Sequence, residues 1–310
     1  MKLGFILPQI GPAAGGESIV QVARRAEELG YDSLWVTDRL LYPVRPQNPY
    51  PATPDGALPE AYKNVFDPIV ALTFAAAHTS RVTLGTSILV MSYRNPLLLA
   101  KSLASLDALS GGRLQVGLGQ GWSKDEHDAV GVSLKDRAQR GDEVIQVLKA
   151  VWGEDPVEFQ GQFFQVPPSF VGPKPAQRPR PPIYLAAYTP GAMKRIATLA
   201  DGWNPAGIPA PAMGQMMQGI RDMARQSGRD PAALKMVVRA NVHVTDAPQG
   251  GDRWIFTGSR EQIKSDIQAV QNIGADELFF DPTFSPAGAS LASFQESLEE
   301  LKQLAGAAAG

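Results

Sequence analysis

The chain has 0 Cys, which excludes disulfides, thiolate metal sites and cysteine nucleophiles. Histidine is nearly as scarce. The 3 His, at positions 78, 127 and 243, leave a histidine-based metal site or triad little to work with. An excess of one charge is missing too. Lys+Arg is 29 and Asp+Glu is 31, a formal net charge of -2, so bulk attraction to nucleic acid or anionic membrane is not expected. No apolar run reaches the ~18 residues of a membrane-spanning helix. The opening segment Leu3-Gly4-Phe5-Ile6-Leu7-Pro8 reads as a strand and lacks the basic region and cleavage site of a secretory signal. A cytoplasmic location is expected.

What is present is a sizeable apolar complement, 44% of 310 residues, arranged with a regular beat. Short aliphatic runs alternate with amphipathic stretches. Strands are predicted over Leu3–Leu7, Ser33–Val36, Val82–Val90, Arg113–Gly119, Ile183–Ala186, Gly202–Asn204, Met236–Val244 and Glu277–Phe280. Helices are predicted over Glu17–Leu29, Pro68–Thr79, Pro96–Leu109, Lys135–Trp152, Gly191–Ala200, Ala212–Ser227, Arg260–Ile273 and Leu291–Leu304. About eight strand–helix units in one run imply parallel strands, and over this length favour a closed (β/α)₈ barrel. The whole chain, 1–310, reads as one domain. Two Pro-rich stretches, about 38–65 and 154–182, read as insertions at strand ends, the second opening with a hairpin over Val157–Val166. The tail 305–310 reads as frayed.

In such a barrel, function sits in the loops after the strands. Asp38 and Arg39 follow the second strand, as site contacts or as a local salt bridge or cap. The small residues Gly85-Thr86-Ser87 in the third strand leave room for a flat ring, or mark a bulge. Gly117-Leu118-Gly119-Gln120-Gly121-Trp122 has a misplaced third glycine for a dinucleotide fingerprint, but exposes backbone N–H groups to a phosphate. Thr189-Pro190 caps a helix after the fifth strand and makes a second anion site, or an ordinary helix start. His127 either reaches the mouth or lies on an exposed helix face. His78 reads as a surface or capping residue, His243 as a core or rim residue, and the methionines 213, 216, 217 and 223 as core packing.

Several of these segments together resemble the bacterial-luciferase-like family of flavin-dependent oxidoreductases. They are Leu3–Pro8, Ala26–Val36, Gly85–Val90, Arg94-Asn95-Pro96, Ser110–Leu114, Gly117–Trp122, Pro173-Lys174-Pro175 with Pro181-Pro182-Ile183, and Ala200–Trp203. The branch most similar is the one dependent on coenzyme F420. The resemblance implies a TIM barrel with the deazaflavin across its mouth and a non-prolyl cis peptide at Ser87-Ile88. It implies cofactor contacts from Asp38, Ser87, Ile88, Gly119, Gln120, Gly121, Trp122, Ala187, Tyr188, Thr189, Gly191 and Ala192. Where the family's sugar-phosphate dehydrogenases carry a catalytic His and Glu, this chain has Arg39 and Trp122. Asp38, Arg39 and His127 remain the catalytic candidates, and Tyr42, Arg45, Trp203 and Asn204 the expected substrate-pocket residues, with Trp203 alternatively structural. The activity expected is hydride transfer between F420 and a small organic substrate, the two insertions roofing the site. The alternatives are an FMN-dependent monooxygenase and a ligand-binding barrel without turnover. The expected partners are a small-molecule substrate, a flavin or F420 reductase, and a second copy of the chain, since family members are often dimers.

Overall fold

A computed structural model describes residues 1–308. Eight parallel strands close on themselves: β1 (Lys2–Ile6), β2 (Ser33–Val36), β3 (Thr83–Thr86), β4 (Leu114–Gly119), β5 (Ile183–Leu185), β6 (Gly202–Trp203), β7 (Lys235–Asn241) and β8 (Glu277–Asp281). Each pairs in parallel with its successor, and β8 closes on β1 through Leu278 opposite Leu3 and Phe280 opposite Phe5. The (β/α)₈ barrel expected from the alternation is the fold observed.

The strands read as near-continuous apolar runs because both faces are covered. Inside the barrel, Trp35 of β2 stacks on Phe279 of β8 at 4.5 Å, in one cluster with Tyr184 of β5 and Val237 of β7. Gly85 serves this plug: a Cβ there would lie 2.3 Å from the Trp35 ring. The small residue expected to admit a flat ligand admits a tryptophan instead. Beneath the plug, Glu277 is buried and accepts from Trp35 Nε1 at 3.0 Å, from Gln115 Nε2 at 3.3 Å and from Ser33 Oγ. Burial pushes its carboxyl above the ordinary value, against those hydrogen bonds.

The outer helices are α1 (Gly16–Glu28), α2 (Pro68–Ala76), α3 (Pro96–Leu109), α4 (Lys124–Ala129), α5 (Arg137–Trp152), α6 (Pro190–Leu199), α7 (Ala210–Gln226), α8 (Arg260–Asn272) and α9 (Leu291–Ala308). Three share one start signal. Asp67, Asn95 and Thr189 cap α2, α3 and α6, each with proline at the first helical position. None of the described helices is long and apolar enough to cross a membrane.

Two local expectations change and a third holds. The third strand stops at Thr86 and resumes only as Leu89–Val90. The tail expected to fray continues α9 through Ala308, with Ala305 and Ala308 buried; residues 309–310 lie outside the described residues. The second insertion forms the expected hairpin, Val157–Gln160 with Gln165–Ser169. It docks onto α5, where Glu143 accepts from the backbone N–H groups of Gln162 at 2.7 Å and Phe163 at 2.9 Å.

Candidate active site

The break in β3 builds the floor of the barrel mouth. The Ser87–Ile88 peptide is cis, where the family resemblance placed it. Its neighbours hold it from four other strands or their ends. Ser87 N donates to Val36 O at 2.7 Å, and Ser87 Oγ donates to Asn204 Oδ1 at 2.7 Å. Arg239 Nη1 of β7 donates to Ser87 O at 3.2 Å, while its Nε donates to Asp281 Oδ2 of β8 at 2.9 Å. Burial works against the Arg239 charge, but Asp281 holds its pKa above the ordinary value. On the β4 side, glycines make the space. A Cβ on Gly117 would sit 1.9 Å from Thr86 O, and one on Gly119 2.4 Å from Ile88 Cδ1.

One wall rises from the end of β2. Asp38 Oδ2 accepts from Val90 N at 2.8 Å, and Arg94 Nη2 donates to both Asp38 oxygens at 2.8 and 2.7 Å. Arg39 follows. Its Nε donates to Leu41 O at 3.1 Å and lies 3.4 Å from Glu126 Oε1. Its guanidinium sits 4.9 Å from the Trp122 ring centre and 5.4 Å from that of Tyr62. Glu126 Oε1 in turn accepts from Leu40 N at 2.7 Å. Burial raises the Glu126 carboxyl above its ordinary value, although Arg39 and that N–H oppose it. The first insertion forms the roof and is stitched to α4: Gln47 N donates to Asp125 Oδ2 at 3.0 Å, and Asn48 Nδ2 donates to Trp122 O at 3.1 Å.

These pieces enclose a cavity of about 460 Å³, within the range of small-molecule sites. At its far end α6 begins, where Thr189 Oγ1 accepts from Ala192 N at 3.4 Å. The N–H groups of that first turn and the side chain of Arg137 stand at this end, beside Arg195, which is ion-paired with Asp142. Thr37 Oγ1, Gln120 Nε2 and Arg39 Nη2, on three residues of the cavity wall, are buried without a partner among the described residues.

Most residues expected at the site converge here. Asp38, Arg39, Ser87, Ile88, Gly119, Gln120, Gly121, Trp122, Ala187, Tyr188, Thr189 and Ala192 line the cavity; Gly191 stands beside it, exposed. His127 neither reaches the mouth nor lies on an exposed face. It is fully buried under Gly121, with Nε2 2.9 Å from Ser92 Oγ and Nδ1 2.8 Å from Ser123 O, and burial lowers its pKa.

The four residues expected in a substrate pocket lie outside the lining. Tyr42 Oη donates to Glu60 Oε1 at 3.0 Å on the outer side of the roof, and Arg45 is exposed. Trp203 is a core residue, its Nε1 donating to Ala187 O at 3.0 Å. Asn204 is buried beneath Ser87. The second insertion contributes nothing to the lining, so only the first is a roof. Sequence reasoning missed Tyr50, Tyr62, Glu126, Arg137, Arg195 and Arg239. Arg239 carried a signal, being a charge inside the apolar run Met236–Ala240.

The luciferase-like monooxygenase family model matches residues 1–301. An uncharacterized protein of Mycobacterium tuberculosis is 35% identical over 244 residues, 78% of this chain and 84% of that protein. The F420-dependent glucose-6-phosphate dehydrogenase of Kineococcus radiotolerans is 34% identical over 207 residues, which span 66% of this chain and 56% of that enzyme. Among solved structures, the monooxygenase RslO1 from Streptomyces bottropensis superposes with a TM-score of 0.79 at 24% identity, covering 97% of this chain and 98% of that one; the likeness is one of fold. With a family model matched along nearly its whole length and a barrel of the same build, the chain belongs to the luciferase-like monooxygenase family.

Proposed function

We propose that this chain is an oxidoreductase that moves a hydride between coenzyme F420 and a small organic substrate. The observation that carries the reading is the unfinished cavity wall. Thr37 Oγ1 and Gln120 Nε2 are buried there with no partner among the described residues, beside a floor kept flat by Gly119. A buried polar group left unpaired costs about 1–3 kcal/mol, so such a wall suits a flat heterocycle with polar edges. Ile88 and Gly119 to Gly121 would lie against the ring. Ala187, Tyr188, Thr189 and Ala192 would receive its phosphate-bearing tail at the start of α6, aided by Arg137.

Bound F420 supplies the hydride chemistry itself. The residues of this chain bind, orient and exclude water. Asp38 and Arg94 fix the loop after Ser87 through the Val90 N–H. Arg39 carries a guanidinium fork of N–H donors, so it orients an acceptor. Among the described lining residues the carboxylates are Asp38 and Glu126. Asp38 is committed to Arg94, which leaves the Glu126 carboxyl, whose protonation burial favours, as the group able to hold a proton at the cavity wall.

The Kineococcus relative favours F420 as the cofactor. The family's own description favours a second reading, an FMN-dependent monooxygenase fed by a separate flavin reductase. Titrating the purified protein with F420 and with FMN, followed by fluorescence quenching, separates them. Saturable F420 binding without FMN binding is expected. The reverse pattern replaces the first reading with the second, and no binding of either overturns both.

A further inference from the structure

The roof end of the cavity has a composition of its own. Arg39 is buried, its side chain 4% exposed, yet its charge is incompletely served. Of five N–H donors, Nε reaches Leu41 O, Glu126 Oε1 stands at 3.4 Å, and Nη2 has no partner among the described residues. Trp122 and Tyr62 flank the guanidinium, their ring centres 4.9 and 5.4 Å from its carbon. Tyr50 packs on Trp122 at 5.3 Å and edge-on to Tyr62 at 5.9 Å, so these three rings and the guanidinium form one face of the cavity. Of the four arginines that line the cavity (39, 137, 195 and 239), Arg239 is paired with Asp281 and Arg195 with Asp142. Arg137 and Arg195 stand by the start of α6; Arg39 stands with the rings.

We infer that the substrate is a planar conjugated carboxylate, held by its carboxylate on Arg39 and by its ring or enone plane against Tyr50, Tyr62 and Trp122. This rests on the cofactor reading, which assigns the remainder of the cavity to the deazaflavin. The planar fork of a guanidinium matches a carboxylate, and burial of the Arg39 side chain pre-organises it. Aromatic faces accept a flat conjugated body better than a sugar or a branched alkyl chain. Glu126 meets the guanidinium only along its Nε edge, at 3.4 Å, and is itself anchored on the Leu40 N–H, which leaves the terminal nitrogens for a ligand.

The test uses trans-cinnamate and its uncharged isostere trans-cinnamamide, titrated by calorimetry at pH 7.5 into the protein alone and into the protein saturated with F420. Cinnamate is expected to bind at least roughly tenfold more tightly than the amide, the difference of one charge-assisted hydrogen bond. It should bind without displacing F420. Arg39→Gln should abolish the preference and leave F420 affinity within about twofold; Arg39→Lys should retain part of it. The acid–amide comparison needs only the native protein, so it decides even if Arg39→Gln misfolds. Equal binding of acid and amide, displacement of F420 by cinnamate, or loss of F420 affinity in Arg39→Gln with cinnamate affinity intact overturns the inference. Failure of F420 to bind overturns the cofactor reading, and is seen in a separate titration.

Discussion

Replacing Gly119 by alanine adds one methyl group at the floor of the cavity. Its Cβ would stand 2.4 Å from Ile88 Cδ1 and 2.9 Å from Ile88 Cγ1. Carbon atoms pack at about 3.5–4.0 Å, so Ile88 has to retreat by roughly 1.1 Å or more. The three atoms nearest that methyl all belong to Ile88, and Ile88 itself lines the cavity, so the retreat is expected to intrude on the ring site. Overpacking of this kind destabilises by about 1–3 kcal/mol. If the ring lies on Ile88, a similar penalty appears in binding, as a loss of roughly tenfold or more in F420 affinity. Denaturant unfolding of the free protein measures the first quantity and F420 titration the second. Gly111→Ala is the control. Gly111 has φ +71 and no atom within 4 Å of its would-be Cβ, so that change should cost about 1 kcal/mol of stability and nothing in affinity. Native F420 affinity in Gly119→Ala, at any stability, would refute the placement of the ring against Ile88.

Arg239→Met removes the clamp between Asp281 and Ser87 O and leaves a fully buried carboxylate unpaired, so unfolding free energy should fall by about 3–5 kcal/mol in denaturant melts, and by clearly less when Asp281→Asn is added. Because burial lowers the His127 pKa, its folded form resists protonation; stability should be full above the ordinary value near 6.5 and decline as pH falls below it, and His127→Gln should flatten that slope between about pH 7 and 5. For Glu277 the sign is opposite: burial raises its pKa, so the native protein loses stability as pH rises through the carboxyl range, and Glu277→Gln should gain on the parent as pH rises above about 4.5 in urea melts.

The barrel was legible because its signal is redundant. Eight apolar runs, each followed by an amphipathic stretch, leave one closed topology, and the rule that function gathers at strand ends then brought Asp38, Ser87-Ile88, Gly119 and Thr189 to one place before any coordinates. What escaped has physical reasons. Strand β6 is two residues long, too short for alternation to show which side chain points inward; Trp203 faces the outer core and Asn204 sits beneath Ser87. Helix α4 has six residues, under two turns, so no periodicity announced it, and His127 could not be oriented. Tyr50 and Tyr62 lie in a Pro-rich roof whose path depends on long-range ties such as Gln47 to Asp125. Arg239 and Asp281 form a pair across strands 42 residues apart, which only the sheet register reveals.

Where the ring binds is the decisive observation. A crystal structure of the protein soaked with F420 should show the deazaflavin flat against Ile88 and Gly119, with its polar edge on Thr37 or Gln120 and its phosphate-bearing tail running to the start of α6. A ring bound anywhere else, or a mouth closed over by the roof with F420 absent at saturating concentration, would contradict it.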